Sequence, residues 1–451
     1  MPADDFTSWE RTANIVTVRM REKASMELIF LDNGLANKAG HSYTLAKTVS
    51  EAMARRKLRH RIFGLSALDT SIAREIGAIP HFSRSLYDGV DLSWGEKRQR
   101  SAAAIFRVAP AGVSTRSERR TWKALNEAFE RDLRALPEDV WRPDNLIAVM
   151  AIMQNQILGL IRFLRAMPPG RLPRVVCQLM FPPSFVPWGA VSTHGEKFYR
   201  DAFNLGAPLI GRFLFFTVEN EAMRALYGKN FGVQSRILPV PFGTPAPQRT
   251  MEGRVRVGFF GDSKCDKGFH LLPKAIALCQ RDGLDAEFIV QIQHSGWEQR
   301  TIEAERALRS LKDVRFLEGV LLSEDYAAWT GQTDVMLLPY DPVAFGAVRG
   351  SGIFAESVAA GRPVVASRGT FAGTSIENNE AEGEVFAPHT SEALAAAIAR
   401  LMPRLPACKA RAADRAKDFA CAHSPDAYVD VLLAHAKAQW GVTTSPQNGL
   451  K

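Results

Sequence analysis

The chain alternates short, continuous apolar runs with longer stretches in which apolar residues recur every three or four positions. The first run, "MELIFLDN" at residues 26–33, predicts a strand buried on both faces. A glycine-bearing loop, "NGLANKAGHSY", leads into "TLAKTVSEAMARR" with helical spacing, and "RHRIFGLS" predicts a second strand. This is a β-loop-α-β unit of the parallel, doubly wound kind. The alternation returns at "RVVCQLM" and "FLFFTV", with helices before and between them. "ENEAMRALYGKNFG" predicts a helix ending on glycine, and "QSRILPVPFG" a strand.

The period then breaks. "TPAPQRTMEG", residues 244–253, is proline-rich and polar, the composition of a linker. Beyond it, strands are predicted at "RVRVGFFG", "AEFIVQI", "VRFLEG", "DVMLLPY" and "RPVVAS", and helices over 268–281, 297–312, 323–332 and 351–361. Helical patterns fill 390–440. The expected architecture is two doubly wound α/β domains, residues 1–243 and 254–403, facing a cleft. C-terminal helices are expected over 404–451.

Length agrees with that division, because 451 residues exceed one ordinary core. The longest apolar run, "LIAVMAIM" at 146–153, is too short to span a bilayer, and the polar start "MPADDFTSWERTANIV" does not read as a secretory signal. Five cysteines without a CxxC pair fit a reducing cytoplasm, not a disulfide framework or a zinc site. The net charge of +9 is uneven: residues 1–250 hold 35 Lys and Arg against 23 Asp and Glu, the remainder 22 against 25. Residues 97–123 concentrate the excess, with Lys97, Arg98, Arg100, Arg107, Arg116, Arg119, Arg120 and Lys123 against Glu118 alone. Such a stripe suits anionic lipid, an anionic acceptor or a plain solvated surface. A nucleic-acid partner is not expected, since interleaved aromatics and a known binding module are missing.

Candidate chemistry falls at the carboxyl ends of the predicted strands, where ligands of doubly wound sheets bind. In "VRGSGIFAESVAAGRPVVAS", Arg349 and the turn Gly350-Ser351-Gly352 open a helix with Glu356 one turn in. Free N–H groups at a helix start bind anions, and a carboxylate accepts from sugar hydroxyls. "GFFGDSKCDKGFHLL", residues 258–272, carries Gly261, Lys264 and Lys267 on a strand-to-helix loop, point charges suited to a diphosphate. It is neither a Walker A loop nor a GxGxxG fingerprint. Glu318-Gly319-Val320 and Asp341 stand at two further strand ends. In the N-terminal half, Gly34, Gly40 and His41 occupy the first loop, with His194 in "STHGEKFY" a second histidine of interest.

Taken in order, "GD-S-K-x-x-KG", "F-x-EG-x-L-x-x-E-x-Y", "D-x-x-LLPY" and "R-x-SG-x-F-x-E-x-x-x-x-G-x-PVVAS" resemble the nucleotide-sugar domain of GT-B glycosyltransferases, most nearly the group-1 retaining family. The likeness covers residues 254 to about 403 and is looser before the linker. It implies two Rossmann-like domains with a donor sugar nucleotide between them, and C-terminal helices that would pack back on the N-terminal domain. Lys264, Lys267, Arg349, Ser351, Gly352 and Gly261 would hold the diphosphate, Glu356 would bind ribose and serve catalysis, and His41 would orient substrate. Gly34, Gly40 and His41 would lie on the acceptor side. One position departs from the pattern. The family pairs its helix glutamate with a second, eight positions earlier and near the transferred sugar, and that position here is Val348.

The resemblance implies a cytoplasmic hexosyltransferase of the retaining type. It would use a nucleotide-sugar as substrate and need neither cofactor nor metal. A glycan or lipid-linked acceptor is expected, in cell-surface polysaccharide synthesis with peripheral contact at the inner membrane face. The competing readings are a sugar-nucleotide epimerase and a non-catalytic partner subunit of the same fold.

Overall fold

The computed structural model describes residues 26–38, 41–105, 113–187, 191–242, 248, 253–294 and 298–437. Two parallel sheets organise them. The first comprises β1 (Leu28–Leu31), β2 (His60–Leu65), β3 (Ala78–Phe82), β4 (Leu146–Val149), β5 (Arg174–Leu179), β6 (Leu214–Val218) and β7 (Ser235–Ile237), in the order β3-β2-β1-β4-β5-β6-β7. The second comprises β8 (Val255–Phe259), β9 (Ala286–Ile292), β10 (Val314–Glu318), β11 (Val335–Leu338), β12 (Val364–Ser367) and β13 (Gly383–Phe386), in the order β10-β9-β8-β11-β12-β13. This is the expected pair of Rossmann-like α/β domains, the GT-B architecture.

Both faces of the central strands are covered, and β1, β4, β6, β11 and β12 are buried along their whole length. Successive residues of a strand point to opposite faces. Ile29 and Leu31 therefore join one core cluster with Ile147 and Val149, while Leu28 and Phe30 join another with Leu146 and Ala148. The second sheet divides likewise, Val335 and Leu337 on one side and Met336 and Leu338 on the other.

Five helices position the cleft: α1 (His41–Arg55), α2 (Glu221–Phe231), α3 (Gly352–Ala359), α4 (Leu405–Ala422) and α5 (Pro425–Lys437). Helix α4 stays with the second sheet, where Lys409 Nζ meets buried Asp334 at 2.8 Å. The chain then returns, and α5 packs on α1. Tyr428, Val429 and Leu432 of α5 enter the core beside β1, Tyr428 donates to Gln178 Oε1 at 3.1 Å, and Arg56 pairs with Asp426 and Asp430.

Several predicted bounds shift for local reasons. "QSRILPVPFG" contributes only Ser235–Ile237 to the sheet, because Pro239 and Pro241 lack the N–H groups that would extend the ladder. The helix expected from 268 begins as a 3-10 turn at Phe269–Leu271 and becomes α-helical at Leu272–Arg281, with Pro273 in its first turn. Gly268 precedes it in the left-handed region, φ 74°. Strands β3, β4 and β13 lie outside the sequence reading. Among the described residues no helix is long and apolar enough to cross a membrane.

Candidate functional site

Strand order reverses between β8 and β11 in the second sheet, and doubly wound sheets bind ligands at such a switch point. A cavity of about 820 Å³ lies there, lined by residues of both domains. The loop after β8 forms one wall. Gly261, at φ 92°, donates its N–H to Gln291 Oε1 at 2.8 Å, and a side chain there would meet Lys267 Nζ at 3.0 Å. The loop is held close to the end of β11: Asp341 N donates to Asp266 O at 2.8 Å, and a Cβ on Gly268 would overlap the Pro339 carbonyl. Lys267 lines the cavity, and burial pushes its ammonium below the usual lysine range, with Asp262 opposing. Lys264 does not line it; its ammonium stands 3.6 Å from Asp262 on the same loop.

The segment after β11 forms the adjoining wall. Ser351 caps α3, its Oγ accepting from Phe354 N at 3.4 Å and lying 3.1 Å from Tyr340 Oη. The serine hydroxyl is thus committed to the cap, whereas the N–H groups of Gly352 and Ile353 have no carbonyl four residues back within the helix. Both residues line the cavity, and nothing lies within 4 Å of a Cβ placed on Gly352. The positive end of α3 therefore opens into the cavity.

Arg349 lies at the meeting of the domains. Its guanidinium is 4.2 Å from the ring centroid of Phe345 and 4.9 Å from that of Phe185 in the N-terminal domain, a cation–π enclosure. Burial lowers its pKa from the usual arginine value. Glu356 lines the cavity one turn into α3 and accepts from Tyr326 Oη at 2.7 Å. Burial raises its carboxyl pKa, against the lowering effects of that hydrogen bond and of Arg362. Arg362 also lines the cavity; its Nε donates to Thr333 O at 2.8 Å, while Nη2 finds no partner among the described residues.

The N-terminal domain contributes residues that the sequence reading passed over. Glu219 follows β6, lines the cavity, and is pushed by burial up to about 7, with Arg349 opposing. Asn220 caps α2 through Met223 N at 2.9 Å and donates to Val348 O at 3.0 Å, tying the domains together. Glu219 stood in the sequence as a single charge closing the apolar run "FLFFTV", a weak but visible signal.

Other expected residues distribute differently. Gly34 N donates to Asp32 Oδ1 at 2.8 Å, and Asp32 is raised by burial to about 6. Gly40 and the His41 side chain lie outside the described residues; the His41 backbone starts α1. His194 does not line the cavity but stands 3.2 Å from Thr115 Oγ1, between loop and helix. Asp341 caps the turn Pro342–Phe345, accepting from Val343 N at 2.8 Å. Val320, at the end of β10, lines the cavity; Glu318 does not and pairs with Arg309 at 2.8 Å. Among the described residues no group of three or more His, Cys, Asp or Glu is placed to hold a metal ion.

Residues 254–403 match the family model described as glycosyl transferases group 1. No curated protein matches the chain in sequence. Among solved structures, sucrose-phosphate synthase from Thermosynechococcus elongatus is similar at 12% identity and TM-score 0.59, over 90% of this chain and 98% of that one. Anabaena HepE, solved in complex with UDP-glucose, is similar at 14% identity and TM-score 0.59, over 90% and 98%. An α,α-trehalose-phosphate synthase from Burkholderia xenovorans, in complex with glucose-6-phosphate, is similar at 13% identity and TM-score 0.60, over 91% and 100%.

Proposed function

We propose that this chain, whose residues 254–403 match the family model of group 1 glycosyl transferases, moves a hexose from a nucleotide-sugar to an acceptor hydroxyl in the cleft between its two sheets. One observation carries the reading: Lys267, the open N-terminus of α3 and Glu356 converge on one cavity at the β8/β11 switch point. Lys267 and the Gly352 and Ile353 N–H groups hold the donor diphosphate, with Ser351 shaping the turn. Arg349 and, from the rim, Lys264 add positive charge. The free oxygen of Glu356 accepts from ribose hydroxyls.

The transfer breaks the bond between the anomeric carbon and the diphosphate oxygen and forms one to the acceptor oxygen. Charge develops on the leaving diphosphate, where the lysine and the helix end stabilise it without a metal ion. With retention, the acceptor proton passes to the departing phosphate oxygen, so no protein nucleophile is used. Closure of the domains aligns the two substrates. His41 and the Gly34–Gly40 loop serve the acceptor side.

The acceptor is a glycan or a lipid-linked sugar in polysaccharide synthesis, reached from the cytoplasmic membrane face. Trp94 is 74% exposed and Arg98 lies 5.3 Å from its ring centroid, which gives the basic stretch an interfacial anchor. The experiment is a thermal-shift series with UDP, GDP, ADP and their hexose conjugates. At least one should raise the melting temperature by mass action. A flat response across the series refutes the donor site. Sedimentation with acidic but not neutral vesicles, reversed by salt, tests the membrane contact.

A further inference from the structure

The group 1 pattern places a carboxylate at position 348, and this chain has valine there. Val348 packs against the core of the N-terminal domain and does not line the cavity. Two residues on, the backbone approaches a carboxylate from the other domain: a Cβ on Gly350 would overlap Glu219 Oε2. Glycine at 350 leaves room for the Glu219 carboxylate in its present position. The adjacent Asn220 fixes the approach through its hydrogen bond to Val348 O at 3.0 Å.

Glu219 lines the cavity half-buried, with no hydrogen-bond or ion-pair partner among the described residues, and desolvation raises its carboxyl to about 7. A partly desolvated carboxylate that faces a cavity without protein donors is open to the donors of a ligand. Ionised, it only accepts, so the missing partner is a hydrogen-bond donor. Diphosphate oxygens cannot fill that role. Hydroxyl groups can. Glu219 reaches the cavity from the N-terminal domain, beside the turn that precedes α3.

We propose that Glu219, from the N-terminal domain, binds hydroxyl groups of the transferred hexose and so supplies across the cleft the carboxylate that position 348 lacks. The inference rests on the donor site described above. Sugar recognition then depends on both domains being apposed, whereas the nucleotide is held by the second domain alone. Bare nucleotide and nucleotide-hexose should accordingly respond differently to Glu219.

The test is calorimetric titration of wild type, Glu219→Gln and Glu219→Ala with UDP, GDP, UDP-glucose and GDP-mannose. Wild type should bind one hexose conjugate more tightly than its bare nucleotide. Both variants should weaken that conjugate about ten- to a hundredfold and leave the nucleotide within about twofold, the loss expected for a hydrogen bond to a charged group. A conjugate with one hexose hydroxyl replaced by hydrogen should lose affinity in wild type and lose little more in Glu219→Gln. The Gln variant should melt no lower than wild type, because it relieves a buried charge; a scaffolding glutamate would give the reverse. Equal loss for nucleotide and conjugate, or no loss for either, overturns the role of Glu219 and leaves the donor site standing. Failure of wild type to bind any of the four overturns both.

Discussion

Replacing Lys267 by methionine tests the diphosphate site in a way the structure makes quantitative. Lys267 is half-buried against the cavity wall, its ammonium 4.0 Å from Asp262 and held below the usual lysine range by desolvation, so without nucleotide it is an imperfectly compensated cation. Methionine keeps the length and removes the charge. The unliganded variant should therefore melt no lower than wild type. Bound nucleotide loses one charge-assisted contact, about 1.5–3 kcal/mol, or roughly ten- to a hundredfold in Kd. At nucleotide 1,000 times the wild-type Kd, stabilisation falls from about 4.1 kcal/mol to about 2.7 for a tenfold loss and about 1.4 for a hundredfold loss. Each kcal/mol moves the melting temperature of a domain this size by about 2–4 °C, so the nucleotide-induced shift should shrink by about 3–11 °C. Differential scanning fluorimetry with and without nucleotide reads both quantities. An undiminished shift in the variant would refute the role given to Lys267; a lower melting temperature without nucleotide would show that the lysine is structural.

Glu356→Gln should reduce donor affinity about tenfold or more while the melting temperature holds, since the carboxylate is disfavoured by burial and Gln can still accept from Tyr326; unchanged donor titrations would remove its ribose role. Lys409→Met leaves the buried Asp334 without its ammonium partner and should cost about 3–5 kcal/mol in urea unfolding, a loss that a surface pair would not show. The pH dependence follows from Glu219 and Asp32, raised by burial to about 7 and about 6. A carboxyl whose folded pKa lies above its unfolded one binds more protons when folded, so its destabilisation is absent below about pH 4 and complete above about pH 7. Glu219→Gln should thus narrow the stability difference between pH 5 and pH 8, measured by urea unfolding at each pH; an unchanged difference would contradict the burial of that carboxyl.

Much of the second sheet was legible because strands such as those in "DVMLLPY" and "RPVVAS" are apolar runs bounded by proline. The strands that escaped lack this form. β3, "AIPHF", contains Pro80 and exposes three of its five positions at least partly, and β13, "GEVF", is four residues long with one buried. β4 was hidden inside the longer run "LIAVMAIM", whose later residues leave the ladder. The cavity divides in the same way. Lys267, Ser351, Gly352 and Glu356 sit within short local motifs, so spacing alone brought them together. Glu219, Asn220 and Phe185 reach the site through the apposition of two domains, and no periodicity in their own segments carries that information. Tyr326 and Arg362 were in view, in "SEDYAAW" and "GRPVV", but their contact with Glu356 depends on how α3 packs beside its neighbours.

The central claim is that the donor diphosphate sits between Lys267 and the N-terminus of α3. The position of that diphosphate in a crystal structure of the complex with the tightest-binding nucleotide-hexose tests it most directly. The account predicts phosphate oxygens within hydrogen-bond distance of Gly352 N and Lys267 Nζ, with a ribose hydroxyl on Glu356. A nucleotide seated elsewhere, with Lys267 and α3 left facing solvent, would contradict it.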